Sequence, residues 1–138
     1  MKKFLLLLLV GFIAVPVFAQ KLKVKTKDKV VYINDEAFLK WEGGGVFSTT
    51  NTFTHASGDS PAFVIHYHKY GERNFFTNLR FLDFDGEMWD GSTPRKKFYA
   101  NLYKANVFNK DCTVNEENAR RFIRMYHEEP PTRFMIGQ

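Results

Sequence analysis

The stretch KLKVKTKDKVVYINDEAFLKW, residues 21–41, decides the fold. Lysine occupies every odd position from Lys21 to Lys29, with Leu22, Val24 and Thr26 between them. A strict period of two gives a β-strand with one charged and one apolar face. Lysines along such a strand also suit a sheet edge, because they discourage pairing with a second molecule. VVYI (30–33) supplies a second strand, Asn34-Asp35 a turn, and AFLKW (37–41) the returning hairpin arm.

The same alternation continues downstream. VFSTTNTFT (46–54), AFVIHYHK (62–69) and NFFTNLRFLDF (74–84) read as further strands, rich in β-branched and aromatic residues. They are separated by the Gly43–Gly45 run, by HASGDSP (55–61) and by a loop carrying Gly71. DGEMWDGSTP (85–94), with two Asp-Gly pairs, closes the β-rich part.

The period then changes. Thr93 with Pro94 forms a helix start, and Phe98, Leu102 and Ala105 fall at i, i+4 and i+7, with Asn101 among the outward positions. Thr113 and Glu116 have capping-box spacing ahead of an apolar stripe of Ala119, Phe122, Ile123 and Tyr126. Glu116/Arg120 and Glu117/Arg121 are favourable i,i+4 pairs, and Pro130-Pro131 stops the helix. The expected architecture is α+β: an antiparallel meander of about five or six strands followed by two C-terminal helices packed on one face. The absence of βαβ alternation disfavours a parallel sheet.

Residues 1–19 read as a secretory signal: basic Lys2-Lys3, an apolar run from Phe4 to Phe18, and Val17-Phe18-Ala19 before the cut. The run is shorter than the ~20 residues that span a bilayer. Gln20, not a cysteine, stands directly after the cut, so acylation as a lipoprotein has no acceptor there, and the working chain is expected to be a single domain over residues 20–138 without a stable transmembrane segment. Loss of two lysines lowers the net charge from +5 to +3, too sparse a basic patch for a nucleic-acid binder. Cys112 stands alone, so the fold is held by its aromatic core and not by disulfides.

The opening MKKFLLLLL…VFAQK, the VVYINDEAFLK strands and the closing LYKANVFN…TVNEENARRFIRMY resemble short exported proteins of Bacteroidota with no assigned activity. The resemblance implies a periplasmic or secreted location and transfers no catalytic residue.

Several patterns invite a chemical reading. Gly58-Asp59-Ser60 resembles a serine-hydrolase triplet, but Pro61 follows and has no N–H to give an oxyanion hole. An EF-hand loop counted from Asp83 fails at position 6, Met88, and at position 12, Pro94. The run KWEGGG (40–45) lacks the Lys-Ser/Thr and helix of a phosphate loop.

His66 and His68 lie two apart on a strand, their Cα atoms about 6.6 Å apart on one face. With Asp83 from the neighbouring strand they form the candidate metal set, Asp85 and His55 being further candidates for the third ligand. Phe63, Ile65 and Tyr67 form the core-facing row of the same strand. Trp41, Tyr70 and Trp89 are the candidate exposed rings for binding. The reading is a non-catalytic binding or structural module of the cell envelope, without a cofactor, for a protein, peptide or glycan partner. The alternatives are a small metal-dependent hydrolase built on His66 and His68, and an inhibitor or immunity-type protein.

Overall fold

The structure, a computed structural model, describes residues 21–44, 49–70, 74–91 and 93–131. The signal segment and residues 46–48 of the expected fourth strand lie outside the described residues, as does the Tyr70 side chain.

Seven strands form one antiparallel sheet whose spatial order equals the chain order: β1 (Val24–Lys27), β2 (Val30–Ile33), β3 (Glu36–Gly43), β4 (Thr50–His55), β5 (Pro61–Tyr70), β6 (Asn74–Phe81) and β7 (Glu87–Asp90). Among the described residues two helices follow, α1 (Arg95–Lys104) and α2 (Glu116–Tyr126). The α+β meander is as expected, with one strand more. The addition is β7: its four residues carry acids at both ends, and they pair with β6 in the register Leu79↔Met88.

Hairpin chemistry sets the first three strands. The lysine strand stops at Lys27, because Asp28 and Lys29 take φ of 52° and 62°. Asn34 and Asp35 do the same at 50° and 67°. Two consecutive left-handed residues make a two-residue type I′ turn, whose twist matches that of the strands. Opposite β2, Leu39 pairs with Val31 and Ala37 with Tyr32, so Phe38 is an extra residue that bulges β3. Both Phe38 and Leu39 are consequently buried.

The core lies between one sheet face and the helices. In-register partners Trp41, Phe53, Phe63 and Phe81 place a row of rings across β3 to β6. The centroids are 5.9 Å apart for Trp41–Phe53, 5.1 Å for the stacked Phe53–Phe63 and 5.8 Å for Phe63–Phe81. Phe98, Tyr99 and Leu102 of α1 and Ala119 and Phe122 of α2 pack on this side. Burial pushes the Tyr99 phenol well above its ordinary range, helped by the neighbouring Tyr67.

Three local expectations change at the helices. The sequence predicts Thr93 as the cap of α1 with Pro94 at its first position, but Pro94 itself holds the cap position, without a side-chain bond, while the Thr93 N–H donates to Asp90 Oδ1 at 2.9 Å. Asn101 is buried among the helix contacts rather than facing out. At α2 the cap is Asn115, whose Oδ1 accepts from the Asn118 N–H at 3.0 Å, while Thr113 bonds to Asp111 instead. Its two i,i+4 ion pairs form as expected, at 2.8 Å for Glu116–Arg120 and 3.4 Å for Glu117–Arg121.

Beyond α2 the chain returns to the sheet. The Trp89 N–H donates to His127 Nδ1 at 3.1 Å, and the Glu128 N–H donates to the Trp89 carbonyl at 2.7 Å. The outer edge of β7 is thereby occupied by the chain itself. Among the described residues no helix is long and apolar enough to cross a membrane.

Candidate functional site

The residues with chemical potential gather on the sheet face opposite the helices. Phe63, Ile65 and Tyr67 of β5 point to the core, as the alternation requires, which turns Val64, His66 and His68 the other way. Register then assembles a row across four strands: Thr50 faces His66, His66 faces Asn78, and Asn78 faces Trp89. One step along, Val64, Arg80 and Glu87 align, and one step back His68 aligns with Phe76.

The row is bonded. Thr50 Oγ1 lies 2.8 Å from His66 Nδ1. Buried Asn78 donates from Nδ2 to Glu87 Oε1 at 2.7 Å and to the Met88 carbonyl at 3.3 Å. Arg80 Nη2 stands 3.7 Å from the same Glu87 oxygen. The imidazoles of His66 and His68 have centroids 6.5 Å apart, and His68 lies 5.1 Å from the Trp89 ring. Partial burial, then the charges of His68 and Arg80, hold the His66 pKa below its ordinary 6.5; Glu87 opposes them.

The expected metal set is not brought together. His66 and His68 share a face, but Asp83 is in the exposed turn beyond Phe81. Phe81 pairs with Phe63, already three residues, or about 10 Å of strand, from His66. Asp85 lies in the same turn, where its carbonyl accepts from Arg120 at 3.4 Å. His55 is on the helix-covered side, opposite Leu39 and edge-on to Phe38 and Phe108. Burial and Lys40 lower its pKa as well. Among the described residues no three His, Cys, Asp or Glu side chains converge as a metal group would.

The aromatic set divides too. Trp41 is half-buried on the helix side, in the ring row with Phe53, and so is not on the face that carries the histidines. Trp89 is on that face but only 5 % exposed, flanked by His68 and Phe76. The exposed-ring expectation therefore fails for both tryptophans, because each has an aromatic cross-strand or diagonal neighbour. His127, which the sequence gives no reason to place near the sheet, is fixed to Trp89.

Thr50, Asn78 and Glu87 complete the group around His66. Their signal is parity combined with register, and register becomes readable only once Glu87–Asp90 is recognised as a strand.

Thr50 and His66 have the separation of a hydroxyl and its base. Yet they are cross-strand partners, the last pair of the β4–β5 ladder, and the backbone N–H beside them is committed to the neighbouring strand, Tyr67 N–H donating to the Thr49 carbonyl at 2.8 Å. An oxyanion would find few donors there. The arrangement is a hydrogen-bonded polar row on the sheet face away from the helices. The chain matches no protein-family model, no curated protein and no solved structure.

Proposed function

We propose that this protein is an exported, non-catalytic binding module of the cell envelope, and that the His66 face of the sheet is its contact surface. The observation that supports this reading is the in-register row Thr50–His66–Asn78–Trp89, flanked by the Arg80–Glu87 pair. Thr50, His66, Arg80 and Glu87 offer donors, acceptors and both signs of charge, above the buried Asn78 and Trp89, on a pleated surface that no described helix covers. Such a surface suits the polar contacts of a protein partner better than the concave enclosure of a small substrate. The signal-like first nineteen residues support export.

The test is a binding comparison with a folded control. Purified protein and a His66→Ala/Arg80→Ala/Glu87→Ala variant of equal Tm are titrated with solubilised envelope proteins, resolved into fractions. Saturable binding by the unaltered protein, lost in the variant, is the expected result. Stoichiometric zinc uptake abolished by His66→Ala and His68→Ala, together with hydrolysis of an ester or amide, would overturn it in favour of a metal-dependent hydrolase.

A further inference from the structure

The opposite edge of the sheet carries a second and independent feature. Strand β1 has β2 on one side and no described strand on the other. The Lys23 carbonyl accepts from the Asn34 N–H at 2.8 Å, which fixes the Lys23, Lys25 and Lys27 backbone toward β2. In an antiparallel pair alternate residues bond to alternate sides, so the N–H and C=O groups of Val24 and Thr26 point outward. They form an open ladder.

Beside this ladder, between β1 and α1, runs a groove of about 460 Å³. Leu22, Val24 and Ala100 form its floor, and Lys21, Lys96, Lys97 and Lys104 its rim, without an acidic residue in the lining. On the other side of β1 stand Lys23, Lys25 and Lys27. Asp35 is the acid that answers them, shared between Lys23 at 3.8 Å and Lys25 at 3.7 Å. Positive charge therefore flanks the free edge from both faces, with an apolar strip between.

We propose that the β1 edge is a docking site for an extended acidic segment of a partner polypeptide, added to the sheet as an eighth strand. Main-chain hydrogen bonds to Val24 and Thr26 supply register-independent affinity, and the side chains supply selection. Either phase of the added strand places carboxylates beside lysines: one toward Lys23, Lys25 and Lys27, the other toward Lys21, Lys96, Lys97 and Lys104. Apolar residues of the groove-facing row rest on Leu22, Val24 and Ala100. The same lysines repel the β1 edge of a second copy, so one device admits an acidic strand and rejects self-pairing.

The experiment is fluorescence anisotropy of a labelled short peptide alternating Glu and Val, titrated with the purified protein. Three probes accompany it: a Lys-Val counterpart, an Glu-Val peptide N-methylated at alternate residues, and phosphatidylglycerol vesicles. Expected are saturable binding of the Glu-Val peptide, weakening of about tenfold or more with Lys96→Glu/Lys97→Glu/Lys104→Glu, and none with the N-methylated or basic peptides. Thr26→Pro also abolishes binding while keeping the fold, because it removes an outward N–H that β2 does not use. Should that variant unfold, the N-methylated peptide tests the same hydrogen bonds on the unaltered protein. Equal binding of the N-methylated peptide would reduce the site to plain charge attraction and overturn the proposal. So would binding of the vesicles with none of the Glu-Val peptide, or no preference for acidic over basic peptide. The result is separable from the His66 surface, because no residue altered here lies on that row.

Discussion

Thr50 Oγ1 and His66 Nδ1, partners across β4 and β5, stand 2.8 Å apart on the sheet face that the helices leave uncovered. A neutral imidazole serves this bond, and its surroundings favour the neutral form. Burial, His68 and Arg80 lower the His66 pKa below 6.5 against the pull of Glu87. The unfolded chain therefore takes up the proton first as pH falls. Stability is full above 6.5 and is lost as pH drops through 6.5 toward the lower native value, with His55 adding in the same direction. The loss is small, because His66 remains partly solvated and water screens the charges. NMR titration checks the sign: His66 should show a midpoint below 6.5, lowered further by Glu87→Gln and raised by Arg80→Ala.

Lys29 is the second central residue of the β1–β2 turn, at φ 62°. A side chain in the left-handed region costs about 1 kcal/mol, and glycine is free of that cost. Lys29→Gly turns the loop into Asp-Gly, the favoured type I′ sequence, and should stabilise by about 0.5 kcal/mol after the entropy of the unfolded glycine is subtracted. Urea denaturation should show a higher midpoint at an unchanged slope.

Phe63 is fully buried between Phe53, at 5.1 Å, and Phe81, at 5.8 Å. Phe63→Ala removes the middle ring of the row and should cost about 3–5 kcal/mol, a large part of the whole stability of an ordinary domain. Phe63→Leu should recover most of it. Thermal melts of the two variants measure the difference.

At α2 the two candidate caps separate cleanly. Asn115→Ala removes the acceptor of the Asn118 N–H and should cost about 1 kcal/mol. Thr113→Ala removes exposed bonds to Asp111 and Asn109 and should cost less than half of that, on the order of 0.3 kcal/mol. The opposite ranking in chemical denaturation would restore Thr113 as the cap.

Much of the architecture was legible because period two and period 3.6 leave different marks. The lysine strand, Phe63-Ile65-Tyr67 inward and His66-His68 outward, and the two helices all follow from alternation and capping chemistry. What escaped depends on register and on competition between neighbours. Asp83 lies past the end of β6 and not beside His66, and only the pairing of Phe81 with Phe63 reveals it. Trp89 is a large ring in a short acidic strand, so its burial by His68 and Phe76 has no local signature. Thr113 has a capping residue's spacing, but Asp111 claims its hydroxyl, an outcome decided by a turn and not by the helix.

The agreement of spatial strand order with chain order has a consequence for how the molecule is made. Each strand finds its nearest template in the strand just before it in the chain, so pairing needs short loop closures and the search is local. The aromatic row, however, ends at Phe81, and the residues that cover it, Phe98, Leu102 and Phe122, come later in the chain. A nascent chain that stops short of α2 therefore carries a completed sheet with a bare, sticky side. Docking of the last two helices is therefore the step that closes the core, and a chain in which it is delayed is the form most exposed to aggregation.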